Sequence, residues 1–210
     1  MPQRWLALGR DIDPDPHLAG LTTAHITTRV PKFVLLNREL AKVDLSAFDL
    51  LVVTDDDIEV QSGFLDAYCA LQRHCDLALA QPARTLHSFH DHHITLQRPW
   101  CIARLTRFVE IGPVFSVRAD AFGLLLPFDE RSPMGWGYDH IWPVRIEAAG
   151  LSMGIIDRVP VDHSLREQSR TYRAVDEQRA MRRLLDANRH LPKGELMRAR
   201  AVILRYQGAS

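Results

Sequence analysis

An apolar, β-branched run that ends in three adjacent carboxylates constrains this chain more than any other feature of its sequence. Residues 50–53 have the composition of a buried β-strand, and Asp55, Asp56 and Asp57 follow almost at once. Open α/β folds bind their ligands at the carboxyl ends of strands. Neighbouring carboxylates repel one another unless a cation or hydrogen-bond donors compensate their charge. The segment therefore indicates either a site for a hard divalent ion, Mg²⁺ or Mn²⁺, or an acidic turn after a strand.

Length and composition indicate one globular domain with at most an appendage. The chain has 210 residues, of which 46% are hydrophobic and 25% charged, and its formal net charge is zero. Its charge is uneven, because residues 164–210 carry 11 Lys and Arg against 5 Asp and Glu. Because the whole chain is neutral, residues 1–163 are acidic overall, which suits a metal-binding cleft. A basic tail suits a solvated helical face, or contact with phosphate, an anionic membrane surface or nucleic acid.

The cysteines and the apolar runs bear on the cellular compartment. Cys69, Cys75 and Cys101 include no C-x-x-C pair, which indicates reduced thiols in a cytosolic protein. No signal peptide is expected, and no stretch approaches the ~18 apolar residues of a membrane span. We therefore expect a cytoplasmic protein, which its basic tail could bring to the inner membrane surface.

The order of apolar runs and breakers predicts an α/β fold with a mixed, mainly parallel sheet flanked by helices. Strands are expected over residues 5–8, 24–28, 50–54, 77–80, 108–115 and 153–157, with Pro82 halting the fourth, and residues 159–161 could continue the last. Helices are expected over residues 31–43, 63–74 with Ser62 as cap, 120–126 and 138–149. Residues 10–20 are expected to be loop. Two further helices, over about residues 172–190 and 194–206, would form a C-terminal extension.

Five segments occur in order over about residues 45–165. They are Phe48–Asp57, Leu79–Ala83, Phe108–Ser116, Gly135–Asp139, and Gly154–Asp157 with His163 after it. Together they resemble the GT-A glycosyltransferases, which are nucleotide-diphospho-sugar transferases, and most specifically the DUF707 family of glycosyltransferase-like proteins. The resemblance implies a GT-A-like domain over residues 1–165 with a helical extension over residues 166–210 packed on it. It also implies a metal-dependent enzyme of the hexosyltransferase type, which moves a sugar from a nucleotide-sugar donor to an acceptor hydroxyl.

The resemblance implies metal and catalytic roles for four residues. Asp55 and Asp57 look like the outer residues of a D-x-D element, which contacts the ribose or the Mn²⁺ or Mg²⁺ that holds the donor diphosphate. His163 follows the late strand and would be a further metal ligand. Asp139 would be the general base of an inverting transfer, although an Asp at a helix start is equally suited to be a plain N-cap.

Further residues are candidates for donor or acceptor binding. Trp136 and Tyr138 would wall the acceptor pocket, with Gly137 between them, and Asp56 belongs to the acidic triplet itself. Glu110 falls inside a predicted strand, where a buried carboxylate is costly without a partner. It would be either an edge residue or a contact to donor or acceptor.

A histidine-rich stretch allows three interpretations. His87, His90, His92 and His93 lie within seven residues and surround Asp91. They could form a solvated loop, line the sugar or acceptor pocket, which favours His87 as a contact, or bind zinc.

Competing functions follow from the short N-terminal half. Only 54 residues precede Asp55, so the donor-binding half would be small. A non-catalytic GT-A-like module that binds a glycan or a protein is the alternative. A metal-dependent phosphatase of the D-x-D-x-T type fits less well, because Glu59 stands where Thr is expected. The expected partners are a nucleotide-sugar donor and an unidentified glycan or lipid-linked hydroxyl acceptor. No nucleic acid is expected, and the C-terminal helices would pack on the sheet or form a homodimer contact.

Overall fold

A six-stranded sheet forms the centre of the molecule in a computed structural model, which describes residues 2–8, 16, 20–165 and 174–204. The strands are β1 (Trp5–Leu8), β2 (Thr22–Ile26), β3 (Leu50–Thr54), β4 (Leu79–Arg84), β5 (Ala103–Thr106), β6 (Val114–Arg118), β7 (Met153–Val161) and β8 (Ala199–Ile203). The helices are α1 (Lys32–Leu40), α2 (Phe64–His74), α3 (Phe122–Leu125), α4 (Tyr138–Ala148), α5 (Ala174–Asp186) and α6 (Lys193–Leu196). Short 3₁₀ turns cover Leu45–Ala47, His93–Thr95 and Ala119–Ala121. Within the described ranges, no helix has both the length and the apolar character that a membrane crossing requires.

The sheet is mixed, and its strand order is β3-β6-β4-β7-β5-β8. β4 and β7 pair in parallel, and the other neighbouring strands pair antiparallel. It follows that β3, β4, β7 and β8 run in one direction while β5 and β6 run in the other. β1 and β2 form a separate parallel pair. The expected α/β architecture, a mixed sheet flanked by helices, is confirmed, although most adjacent strands in the described sheet are antiparallel rather than parallel.

One edge of this sheet collects several strand ends. Because β3, β4 and β7 run the same way, their carboxyl ends meet there. β6 starts at the same edge, since its first residue, Val114, pairs with Thr54, the last residue of β3. The loops that follow β3, β4 and β7 and the loop that precedes β6 therefore face one another.

Helices cover both faces of the sheet with separate apolar cores. On one face Phe33 of α1 and Trp142 of α4 pack around Phe115 of β6. On the other face Tyr68 of α2 packs on the sheet, and its hydroxyl lies 2.7 Å from Ser116 Oγ. Close packing also explains why residue 135 is a glycine, because a Cβ at this position would lie 2.2 Å from the Phe33 ring.

A buried ion pair fixes the segment that leads into β5. Arg104 Nε lies 2.8 Å from Asp157 Oδ2, and Arg104 Nη2 lies 2.9 Å from Asp157 Oδ1, so the pair is bidentate. The same guanidinium donates to the carbonyl oxygens of Ile94 and Leu96 at 2.7 and 3.0 Å. Both side chains are almost fully buried. The pair therefore ties the end of the histidine-rich segment to the sheet.

Several sequence predictions are confirmed. The expected strands at residues 5–8 and 50–54 match β1 and β3, and the strand expected at 24–28 is β2, shifted by two residues. The strand expected at 153–157 is the first part of β7, which does continue to Val161. The helices expected after Pro31, over 120–126 and from Tyr138 correspond to α1, α3 and α4. The first of the two tail helices is α5. Most of the loop expected over residues 10–20, part of the first tail helix, and the end of the second lie outside the described residues.

Other predictions are wrong. Residues 108–113 are loop, so the predicted strand begins only at Val114, and β5 was missed. Gly63 rather than Ser62 holds the N-cap position of α2. β4 continues through Pro82, because β6 pairs with β4 only at Leu79 and Ala80, so no bond to β6 requires the N–H that proline lacks.

The prediction of a second tail helix is wrong over its C-terminal part. Only Lys193–Leu196 is helical, and Ala199–Ile203 forms β8, which pairs antiparallel with β5. Ala199, Val202 and Ile203, whose spacing also suits one face of a helix, therefore lie in an edge strand.

Candidate functional site

Charged side chains converge at the edge of the sheet where β3, β4 and β7 end. Asp55 and Asp57 follow β3, Arg84 ends β4, and His163 follows β7. Glu110 lies in the loop before β6, which opposes them. Backbone bonds hold these loops together, because the Asp55 N–H donates to the Pro113 carbonyl oxygen at 2.8 Å, and Glu59 and Asp162 exchange bonds of 2.8 and 3.0 Å. Two loops that sequence reasoning linked only by resemblance are thus neighbours.

Asp57 and His163 face each other directly. Asp57 Oδ1 lies 3.4 Å from His163 Nε2, and Arg84 Nη1 lies 3.3 Å from Nδ1 on the other side of the ring. A guanidinium can only donate, so Nδ1 accepts and the neutral ring carries its proton on Nε2, towards Asp57. The backbone of His163 is fixed as well, since its N–H donates to Ser88 Oγ at 2.9 Å. The three side chains form a row of close contacts, Arg84 to His163 to Asp57, in which Arg84 and His163 are hydrogen-bonded.

Arg84 and Glu110 form a buried ion pair behind this row. Arg84 Nη2 contacts Glu110 Oε2 and also donates to the Gly112 carbonyl oxygen at 3.1 Å. The Glu110 backbone N–H donates to Gln81 Oε1 at 2.6 Å, which holds the loop in place. Burial raises the pKa of Glu110 to about 7, and the attraction of Arg84 offsets only part of that rise. The partner that sequence reasoning required for Glu110 is Arg84.

Asp55 is paired with Lys32, the first residue of α1. Lys32 Nζ lies 2.7 Å from Asp55 Oδ1 and 2.9 Å from Oδ2, and it donates to the Ile111 carbonyl oxygen at 3.1 Å. Gly112 leaves room for this arrangement, because a Cβ there would lie 3.0 Å from Asp55 Oδ2 and 3.4 Å from Lys32 Nζ. Lys32 and Arg84 therefore hold consecutive carbonyl groups of the loop before β6, with Asp55 and Glu110 as counter-charges.

Asp139 lies in the first turn of α4. Gly137 occupies the N-cap position, so Asp139 is not the N-cap, although its carboxylate accepts backbone hydrogen bonds at the helix start. The side chain is half-buried, and burial raises its pKa, an effect that His140 and His92 partly offset. Asp139 also interacts electrostatically with Glu110. It thus belongs to the same electrostatic neighbourhood as the sheet edge.

The three candidate residues at the start of α4, which are Trp136, Gly137 and Tyr138, have different surroundings. Trp136 is half-buried, and its carbonyl oxygen accepts a bond from Ser132 Oγ at 2.8 Å. Gly137 has a φ of 97°, and a Cβ there would lie 3.1 Å from Met181 Cγ. Tyr138 is only 3% exposed, packs among the core aromatics and donates its hydroxyl to the Asp129 carbonyl oxygen at 2.7 Å. The expectation that Tyr138 walls an open pocket is therefore wrong, because its ring belongs to the core.

The histidine-rich segment divides into separate environments. His90 Nε2 lies 3.2 Å from His93 Nδ1, whereas the ring of His92 packs edge-on against Phe108 at 4.9 Å between centroids. Burial lowers the pKa of His92, and the nearby Asp139 partly opposes this. His87 interacts electrostatically with Asp162, the neighbour of His163, which brings it to the rim of the sheet edge. The segment is not one cluster of four imidazoles.

The side chains at this sheet edge provide part of a site for a divalent ion in their present positions. No set of three or more His, Cys, Asp or Glu side chains within the described ranges is already arranged around a common point. The 3.4 Å between Asp57 Oδ1 and His163 Nε2 nevertheless suits two ligands of one ion, since each would lie about 2.0–2.2 Å from it. Binding through Nε2 would require the ring proton to move to Nδ1, which would then no longer accept from Arg84. Asp55 would complete the set if it separated from Lys32. Asp56 is exposed at the turn beside them.

Two residues of this edge escaped the sequence reasoning. Arg84 had a usable signal, because it is a charged residue after an apolar run, the same pattern that drew attention to Asp55. Pro82 hides this pattern, because a proline inside an apolar run indicates the end of a strand. Lys32 had no such signal, since its contact with Asp55 depends on how α1 packs on the sheet.

A scan against protein-family models gives no match for this chain, and a search of curated proteins gives none either. The chemistry of the sheet edge is therefore inferred from the geometry of its own residues.

Proposed function

We propose that this chain is a metal-dependent glycosyltransferase, which moves a sugar from a nucleotide-sugar donor to an acceptor hydroxyl. The observation that supports this function most directly is the 3.4 Å contact between Asp57 and His163, at the carboxyl ends of β3 and β7, with Asp55 on the same strand end. Carboxylates are the protein ligands that Mn²⁺ and Mg²⁺ sites use next to phosphate groups.

Asp57 and His163 would hold the divalent ion, and Asp55 would join them. Bound there, the ion would act as a Lewis acid that neutralises the leaving diphosphate. Arg84 contributes a fixed positive charge behind His163, because Glu110 and the Gly112 carbonyl group lock its guanidinium in place.

Asp139 is the proposed base that accepts the proton of the acceptor hydroxyl. Burial raises its pKa, which makes the ionised carboxylate more basic than an exposed aspartate and suits proton abstraction. Its electrostatic interaction with Glu110 supports a location beside the same edge. Trp136, half-buried in the loop before it, is the proposed wall of the acceptor side.

A donor screen tests this function. The thermal unfolding of the protein is followed with Mn²⁺ or Mg²⁺ and a panel of UDP-, GDP- and CDP-sugars, with EDTA as the control. One nucleotide family is expected to stabilise the protein only when metal is present, by about 2.7 kcal/mol at 100 times its dissociation constant. Hydrolysis of that same donor in the absence of acceptor would then identify the transferred sugar.

A non-catalytic binding module is the second candidate, and one specific observation favours it. Lys32 already neutralises Asp55 with both carboxylate oxygens in contact, so the carboxylate is compensated by a group of the protein itself. In addition, β1 and β2 form their own pair instead of joining the six-stranded sheet within the described residues. If the donor screen gives no metal-dependent shift with any nucleotide sugar, the binding module is the better account.

A further inference from the structure

Lys32 holds Asp55 as a small cation would. Its ammonium group contacts both carboxylate oxygens, at 2.7 and 2.9 Å, and the Ile111 carbonyl oxygen at 3.1 Å. These three oxygens match the three donors of an ammonium group. A carboxylate and a backbone carbonyl oxygen are also ligands that hard divalent ions prefer. The Asp55 carboxylate and the Ile111 carbonyl oxygen therefore form a small cation site, which the Lys32 ammonium group occupies.

This contact differs from an ordinary surface ion pair. The Lys32 side chain is 22% exposed, and its ammonium group lies 5.8 Å from the centre of the Phe33 ring. By contrast, Lys42 pairs with Glu39 close to the other end of the same helix, and its side chain is 59% exposed. A pair like that of Lys42 contributes little, whereas the Lys32 contact lies against the carboxylate that the proposed function requires.

The two cations at the sheet edge differ in how firmly they are held. Arg84 is locked by Glu110 and by the carbonyl groups of Phe89 and Gly112. Lys32 carries its charge at the end of a flexible four-carbon stem, and a compact ammonium is a suitable partner for a phosphate oxygen. Of the two, Lys32 is the one that can change partner without breaking a buried network.

We propose that Lys32 occupies Asp55 as an internal cation in the metal-free protein and moves to a phosphate oxygen of the donor when a divalent ion takes its place. This inference rests on the proposed function, because it assigns Lys32 to donor recognition at the same site. The ammonium and an arriving divalent ion repel each other at Asp55. The diphosphate that accompanies the ion offers the displaced ammonium a new anionic partner.

The proposal makes two predictions of opposite sign for Lys32→Met. Manganese binding without nucleotide, followed by the electron paramagnetic resonance of free Mn²⁺, should become about tenfold tighter, because a competing charge is lost. Binding of inorganic pyrophosphate at saturating Mn²⁺, followed by calorimetry, should become about tenfold weaker, because a phosphate contact is lost. If Lys32 only supported the fold, its substitution would weaken both manganese binding and pyrophosphate binding.

Two further variants serve as controls. Lys32→Arg keeps the positive charge and should retain a manganese affinity close to that of the wild type. Lys42→Met removes an exposed lysine near the other end of α1 and should change neither measurement. Circular dichroism and thermal unfolding check that each variant is folded.

The outcomes separate this proposal from the proposed function. If Lys32→Met leaves manganese binding unchanged or weaker, Lys32 is not a competing cation and the proposal fails. If manganese binding tightens but pyrophosphate binding is unchanged, the transfer to phosphate is wrong. If a nucleotide sugar stabilises the wild-type protein while Lys32→Met changes nothing, the transferase stands without this role. If no nucleotide sugar binds but both predicted shifts occur, Lys32 has the proposed role in a protein that is not a transferase.

Discussion

Asp57 and His163 lie far apart in the sequence, yet Asp57 Oδ1 and His163 Nε2 are 3.4 Å apart at the edge of the sheet. β3 and β7, the strands that precede them, run in the same direction, and β6 and β4 lie between these strands in the sheet. The backbone bonds between Glu59 and Asp162 draw the two loops together. The contact is thus a product of the fold, and the proposed metal chemistry depends on it.

Removal of the Asp57 carboxylate should abolish metal-dependent nucleotide binding and leave the fold intact. For Asp57→Ala we expect no metal-dependent shift with the donor that stabilises the wild type. The free energy of unfolding should fall by about 1 kcal/mol or less, because the lost contact is partly exposed. Asp66→Ala, on the exposed side of α2, is the matched control and should bind as the wild type does. Retention of full nucleotide binding in Asp57→Ala would show that the metal site lies elsewhere.

Asp139→Asn should separate binding from chemistry. The variant keeps the shape of the side chain and should retain donor affinity, but turnover should drop by about 10²-fold or more if the carboxylate is the base. The wild-type rate should also decline as the pH falls through the pKa of Asp139, at a higher pH than for an ordinary aspartate, because burial raises that pKa. Steady-state kinetics across pH measure both effects. Turnover at the wild-type level would leave Asp139 as a residue of the first helical turn only.

Glu110 should make the stability of the protein depend on pH. Burial raises its pKa from the ordinary 4.5 to about 7, so between these values the unfolded chain binds fewer protons than the folded one. The free energy of unfolding should therefore fall as the pH rises from about 4.5 to about 7, and this contribution should level off above that range. Arg84, Asp91 and Asp139 are the charged groups that face it.

Urea denaturation of Glu110→Gln and of the wild type at several pH values isolates this contribution. The glutamine keeps an oxygen acceptor for Arg84 but cannot titrate, so the difference between the two proteins should change over the stated pH range. A difference that stays constant from acid to neutral pH would contradict the assignment of the slope to Glu110.

Substitution of Gly112 should affect nucleotide binding more than it affects the stability of the fold. A Cβ at this position would lie 3.0 Å from Asp55 Oδ2, so Gly112→Ala should displace the Asp55 carboxylate and the Lys32 ammonium together. We expect weaker metal-dependent nucleotide binding in this variant, as measured by calorimetry. Gly123→Ala is the control, because nothing lies within 4 Å of its Cβ position in α3, and alanine favours helix. Equal binding by both variants would rule out a tight fit at Gly112.

Strand β3 could be predicted from sequence to the residue, whereas β8 could not. An apolar, β-branched run that stops at Asp55 leaves little choice about where the strand ends. In the tail, Ala199, Val202 and Ile203 have a spacing that suits a helix as well as a strand. Pairing with β5 decides the matter, and such a tertiary contact is invisible in the local pattern.

The candidate site was predictable on its acidic side and not on its basic side. Asp55 and Asp57 follow an apolar run, and that pattern places polar groups at a sheet edge, whereas only the family resemblance indicated His163. Lys32 reaches the edge from a helix that packs on the sheet, and Arg84 lies beyond a proline that in isolation indicates the end of a strand. Their partners, Asp55 and Glu110, could be known only once the fold had brought them together.

Diffraction from crystals soaked in Mn²⁺ tests the central claim most directly, because the anomalous signal locates the ion without reference to any activity. The account predicts an anomalous peak about 2.0–2.2 Å from Asp57 Oδ1 and His163 Nε2, with Lys32 turned away from Asp55. A peak at the His90 and His93 pair alone, or no peak within ligand distance of Asp57, would contradict it.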